Sequence, residues 1–297
     1  MMQHFDMRNE NGREEEKWAH FRTYVFSRIK ALYPLYLISI IGTSVLRVVL
    51  QKWSLKTIFV DGFYEIFMLQ ETGLGELVIN NHLWFVSALF LASIILAYFL
   101  IFHMQFYLNF LAPVLSIAIP AAIYRLYGNL ISDHIWGILR AACMLSIGCL
   151  VYQLYLYVGQ RLKGHMGLMG ILECAVLALV VYIMWGTRSD YRDFVVIPFW
   201  AVLVLLLFLK RGLLTKSLDN KVSCYLGSLS YAMYVCQHMV IIVMSVKPLS
   251  LPKELSPVEG YWIRAAVFLG LTILLAAIAE PLSKKVTTVM FAPRENK

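Results

Sequence analysis

Six ionisable residues lie inside long apolar runs of this sequence: Arg47, His82, Arg140, Glu173, His238 and Arg264. A charge at the centre of a bilayer costs about 2.5–3.5 kcal/mol on insertion scales, so such residues mark functional sites by default. An arginine near a helix end can instead snorkel to the interface, and His82 beside Trp84 can act as an interfacial anchor. His238 lies deeper. Ser230, Tyr231 and Tyr234 precede it by eight, seven and four residues, the spacing of one helix face. A hydroxyl-rich stripe ending in an imidazole orients a proton-transfer group, or else serves as interhelical hydrogen-bond glue. Before the first apolar run, Arg28 and Lys30 suit either a stop-transfer cluster or a grip on phosphate.

These side chains need helices to hold them. The chain has 297 residues, 60% hydrophobic and 15% charged, with a mean hydropathy of +0.69. Soluble domains run nearer to about 45–50% apolar and about 25% charged, which excludes disorder, a disulfide scaffold and an ordinary soluble enzyme. Apolar runs at 31–50, 82–102, 106–124, 136–158, 167–186, 194–209, 229–246 and 261–280 approach the roughly 20 residues of a spanning helix. They predict an all-α, polytopic transmembrane bundle of about eight spans. The stretch 56–69 carries Asp61 and Glu65 and is short, which predicts an interfacial or re-entrant helix. Residues 1–21 read as a polar cytoplasmic arm, 22–286 as the membrane domain and 287–297 as a short basic tail. Pro281 is expected to end the last span just after Glu280.

Lys and Arg number 26 against 18 acidic residues, a net charge of +8. Sixteen of those cations flank the ends on the terminal side and seven the opposite loops, so the positive-inside rule puts both termini in the cytoplasm. Arg47, Arg140, Arg264, His82 and His238 then fall toward the outer half of the bundle, as the lining of a cationic pocket. Trp84, Tyr124, Trp136, Trp185 and Trp262 fall near span ends, where an aromatic belt belongs. No phosphate loop or basic array with interleaved aromatics is present, so nucleic acid is not an expected partner. The five cysteines read as small buried hydrophobes, and scattered His and Cys give no metal site.

Four segments together resemble the integral-membrane acyltransferase 3 family, bacterial O-acyltransferases that modify sugars. RIKALYPLY from Arg28 resembles the family's basic run before an aromatic-Pro-x-Tyr. HLWFVS from His82 and LGSLSYAMYVCQH from Leu226 to His238 are similar to two further family segments, and AIAEP from Ala277 resembles the Glu-Pro ending of its last core helix. The resemblance covers about residues 22–285. It implies a multi-pass protein of the plasma (inner) membrane that moves an acyl group, acetyl foremost, from acyl-CoA to a hydroxyl of a cell-surface carbohydrate or glycolipid, with no permanently bound cofactor. In that reading Arg28 and Lys30 hold the CoA phosphates. His238, Tyr234 and Ser230 line the acyl path, and His82, Arg140 and Arg264 serve the acceptor end. Two departures accompany it. The start of this sequence corresponds to the stretch before the family's third core span, so the first-span histidine taken as catalytic base has no counterpart, and His4 and His20 do not match it. Ala31 stands where the second arginine of the family's basic pair is expected. A transporter or flippase for a glycan intermediate, and a truncated inactive family member, are the alternative readings.

Overall fold

The computed structural model describes residues 14–74, 79–130, 135–159, 166–185, 191–246 and 256–291. The helices are α1 (Glu14–Gln51), α2 (Phe63–Ile66), α3 (Trp84–Phe102), α4 (Met104–Phe106), α5 (Ala112–Tyr127), α6 (Ile135–Val158), α7 (Met166–Met184), α8 (Arg192–Leu209), α9 (Leu213–Leu218), α10 (Lys221–Val246) and α11 (Pro257–Met290). A π-helical turn, Tyr107–Leu111, joins α4 to α5 as one apolar helix. No strand occurs among the described residues. Among the described residues, seven helices have the length and composition to cross a membrane, and the described side chains of α7 form a shorter apolar helix over Met169–Met184. The fold is a polytopic helical bundle.

Several helices outrun the apolar runs that announce them, because a hydrogen-bonded helix need not stop at the edge of an apolar segment. The 38 residues of α1 amount to about 57 Å, against about 30 Å of hydrocarbon. α1 begins at Glu14, inside the expected polar arm, with Glu14, Glu15 and Glu16 favourably placed at the positive end of the helix dipole. Trp18 and Phe21 on that first part pack against Tyr98 and Phe102 of α3, which gives the polar segment an aromatic contact face. α10 likewise begins at Lys221, eight residues ahead of its apolar run. Pro281 does not end the last helix: α11 continues to Met290, and a Glu280–Lys284 ion pair at 3.3 Å spans the proline. Proline removes one N–H donor but accepts helical φ, so a long helix can absorb it. Three cysteines are buried as expected, whereas Cys174 and Cys224 are exposed.

The chain divides into two compact units. The first comprises Val25–Ser87 and Tyr225 onward; the second comprises Ala88–Cys224 and the chain up to Tyr24. In the first unit α1 lies against α10. Tyr231 Oη donates to the Leu32 carbonyl at 2.9 Å and Ser39 Oγ to the Val235 carbonyl at 2.5 Å. Gly42 permits the close approach, since a Cβ there would sit 2.5 Å from Met239 Sδ. The connection from α1 to α3 folds back as a π-helical turn (Thr57–Asp61), α2 and two 3-10 turns, in place of the single helix expected over 56–69. Gly62 admits Ile79 beside it: a Cβ would lie 2.5 Å from Ile79 Cδ1 and 2.6 Å from the Ile58 carbonyl oxygen.

The second unit has an apolar interior. Leu96, Leu100, Met104, Tyr107, Leu108, Ala112 and Cys149 form one cluster, and Ile119, Ile123 and Cys143 another. Buried polar groups are few among its described residues. Tyr107 meets Ser146 at 2.6 Å, and Ser146 donates onward to the Ala142 carbonyl at 2.7 Å.

Candidate active site

The polar interior of the first unit is built on one face of α1. Tyr36, Ser39, Thr43 and Arg47 follow at spacings of three, four and four, and all four are buried. Opposite them comes the stretch before α3. Glu65 is fully buried and accepts the backbone N–H of Ile79 at 2.6 Å and of Asn80 at 2.9 Å. Tyr36 Oη donates to the Glu65 carbonyl and receives Gln70 Nε2 at 3.1 Å. Asn80 Nδ2 donates to Ser39 Oγ at 3.2 Å and lies 3.4 Å from Thr43 Oγ1, while its Oδ1 accepts the His82 N–H at 3.1 Å. Asn80 therefore caps the 3-10 turn Asn81–Leu83 and fixes the backbone that carries His82. Tyr234 Oη donates to the His82 carbonyl from the other side. Polar groups removed from water must find partners of this kind, and here each bond also restricts where His82 sits.

Arg47 is held on every edge. Nε donates to the Ile79 carbonyl at 2.6 Å, Nη1 to Gln51 Oε1 at 3.1 Å, and the guanidinium carbon stands 4.1 Å from the centroid of the Trp53 ring. Its Nη2 meets His238 Nε2 at 3.2 Å, and His238 Nδ1 meets His82 Nδ1 at 2.9 Å. The two imidazole centroids are 4.8 Å apart. Three ionisable side chains from α1, α10 and the entry to α3 thus form one hydrogen-bonded line. Arg47 and His238 are buried and His82 is half-buried, so the line runs from the interior toward an accessible end.

A family model described as an acyltransferase domain matches residues 14–280. The chain belongs to the acyltransferase 3 family. The match begins at the first turn of α1 and ends at Glu280, so it takes in every residue of this arrangement. No curated protein and no solved structure matches the chain. Seven membrane-length helices in an acyltransferase family describe a multi-pass membrane protein.

Of the residues singled out from the sequence, Arg47, His82, His238 and Tyr234 come together here. Ser230 shares their unit but faces outward on α10, and Arg264 is exposed on α11. Arg28 is half-buried and Lys30 exposed on α1, nineteen residues before Arg47. Arg140 belongs to the second unit, where its guanidinium donates to the Leu130 carbonyl. Sequence reasoning passed over Tyr36, Ser39, Thr43, Glu65, Gln70 and Asn80. The first three had a legible signal, since hydroxyls at helical spacing that end on Arg47 mark a polar face within an apolar run. The other three lie on irregular backbone, where no periodicity announces a shared site.

Proposed function

We propose that this protein transfers an acyl group, acetyl foremost, from cytoplasmic acyl-CoA to a hydroxyl of a cell-surface carbohydrate or glycolipid at the plasma membrane. The observation that carries the reading is the hydrogen-bonded line Arg47–His238–His82 in a chain of an acyltransferase family. Acyl transfer to a hydroxyl passes through a tetrahedral intermediate, whose oxyanion is stabilised best by fixed hydrogen-bond donors in a site shielded from water. A hydrogen-bonded arginine–histidine array, itself anchored by Asn80, Ser39 and Glu65, supplies such fixed groups.

The two ends of α1 serve different substrates. With both termini cytoplasmic, as the charge distribution predicts, Arg28 and Lys30 lie toward the inner surface and grip the CoA phosphates. Nineteen residues separate Arg28 from Arg47, about 28 Å of helix and close to the roughly 30 Å hydrocarbon thickness. His82 and His238 accordingly lie toward the outer side, where the carbohydrate hydroxyl arrives. His238 and Tyr234 on α10 border the path of the acyl group. Arg264, near the predicted outer end of its helix, is placed to meet anionic groups of the acceptor.

Membranes containing the full chain, supplied with labelled acetyl-CoA and a polysaccharide or lipid-linked sugar, are expected to acylate the acceptor. His238→Ala is expected to lower the rate about 10²-fold, the scale of disabling a fixed oxyanion donor, because the line that holds His82 is then cut. Undiminished transfer by that variant removes His238 from the mechanism. Labelled acyl-CoA that acylates no sugar hydroxyl in the wild-type membranes sinks the whole reading.

A further inference from the structure

The hydrogen bonds of the histidine pair have a direction, and Arg47 sets it. A guanidinium has only donors, so at 3.2 Å from Nη2 the His238 Nε2 must offer its lone pair. A neutral imidazole carries its single proton on the other nitrogen, which makes His238 Nδ1 an N–H. That N–H points at His82 Nδ1 at 2.9 Å, so His82 Nδ1 accepts and the proton of His82 resides on Nε2. The reverse assignment places an N–H of His238 against an N–H of Arg47, and a charged His238 does the same. The line therefore has one consistent arrangement: Arg47 donates to His238, His238 donates to His82, and His82 presents an N–H at its far nitrogen. No described residue bonds that nitrogen, and His82 is half-buried, so its far edge is the accessible end of the line.

We infer that His82 acts as the hydrogen-bond donor to the acyl carbonyl oxygen, with His238 and Arg47 as the residues that position it and fix its tautomer, and that neither histidine is the general base. This rests on the acyl-transfer reading above. The acceptor hydroxyl oxygen attacks the thioester carbon, and the carbonyl electron pair moves onto the oxygen that faces His82 Nε2–H. Collapse of the intermediate breaks the carbon–sulfur bond, and the hydroxyl's proton, carried by a separate base, ends on the departing CoA sulfur. The products are the sugar ester and free CoA thiol, and the three-residue line neither gains nor loses a proton. Each ring nitrogen already engaged in the line has no capacity left for a proton from the substrate, and the one exposed nitrogen already carries its own. Both roles given to histidine by sequence alone, proton transfer and structural glue, thus yield to a third.

The tautomers are measurable without turnover. The full chain, labelled with ¹⁵N-histidine and reconstituted in nanodiscs, contains seven histidines, and spectra of His82→Gln and His238→Gln assign the two in question. The expected result is a bare Nδ1 and protonated Nε2 for His82, with the opposite pattern for His238. Arg47→Lys retains a donor and is expected to retain the pattern; Arg47→Met is expected to leave both histidines as tautomer mixtures. In the transfer assay Arg47→Met should lower kcat about 10-fold or more with the acceptor KM little changed, and Arg47→Lys should recover most of it. A wild-type His82 protonated at Nδ1 overturns the inference, whatever the activity. So does an unaltered kcat in a folded Arg47→Met protein whose tautomers have mixed. A correct tautomer pattern in a protein that transfers no acyl group leaves the donor geometry standing and removes the acyl-transfer reading instead.

Discussion

Glu65 and Glu173 are both fully buried, one in each unit, and each is satisfied in the same way by donors from irregular or short backbone. Glu65 holds the N–H groups of Ile79 and Asn80 through bonds that are themselves buried. Glu173 accepts from Leu214 N at 3.0 Å, Thr215 N at 3.3 Å and Thr215 Oγ1 at 2.7 Å, all partly buried, and so anchors the start of the six-residue α9. Gly212 leaves room for that carboxylate, which a Cβ there would strike. The difference lies in what each carboxylate holds. Two residues beyond the backbone gripped by Glu65 comes His82, whereas the turn gripped by Glu173 leads into a short exposed helix. A buried charge in an apolar segment is therefore no functional signal by itself; its meaning depends on the cargo of the backbone it fixes.

Removing Glu65 should produce the largest effect. Glu65→Ala leaves two buried N–H donors without partners, at about 1–3 kcal/mol each. It also frees Asn80, whose side chain caps the turn that carries His82. A lower thermal midpoint in detergent is expected together with a kcat per folded molecule reduced about 10-fold or more. Normal turnover in the folded fraction would mean that Glu65, like Glu173, serves architecture alone, and the contrast between the two would disappear.

Glu173→Ala should cost less. Water can reach its partners at the edge of α9, so the loss is about 1–3 kcal/mol in all. Turnover per folded molecule is expected to remain at the wild-type level. Measuring midpoint and kcat on the same preparation separates the two carboxylates: both quantities fall for Glu65, and the midpoint alone for Glu173. A drop in kcat for Glu173→Ala at unchanged folded fraction would contradict the assignment of function to the first unit only.

The sequence made Glu173 prominent and Glu65 obscure, and the reason is physical. Hydrophobic periodicity reports which residues share a helix face, so it locates the bundle, the ionisable residues within its spans, and the stripe from Ser230 to His238. It says nothing about backbone that folds back on itself. Glu65, Gln70 and Asn80 sit on such backbone, and their partners on α1 are nearly thirty to over forty residues away. Apolar runs also mark the bilayer and not the helix, which is why α1 and α11 extend well past the segments expected of them. The proximity of His82 and His238, separated by 156 residues, was legible only as a shared depth. Which nitrogen faces which required Arg47 in three dimensions.

The smallest effect should come from the polar pair in the apolar interior of the second unit. Ser146 donates to the Ala142 carbonyl, so its oxygen is left to accept and Tyr107 must be the donor between them. Tyr107→Phe removes that donor while the Ser146 hydroxyl keeps its own bond. The ring and its packing against Phe99, at a centroid separation of 5.9 Å, are retained. The cost should therefore be that of one neutral hydrogen bond, about 0.5–1.5 kcal/mol, seen as a small fall in thermal midpoint with kcat intact. The same chemical change in the first unit, Tyr36→Phe, strips a donor from the Glu65 carbonyl and an acceptor from Gln70 beside the turn that leads to His82. Equal effects on kcat from the two substitutions would show that buried tyrosines in both units are packing elements. A kcat loss confined to Tyr36→Phe would place the boundary of the functional region inside the first unit's hydrogen-bond network.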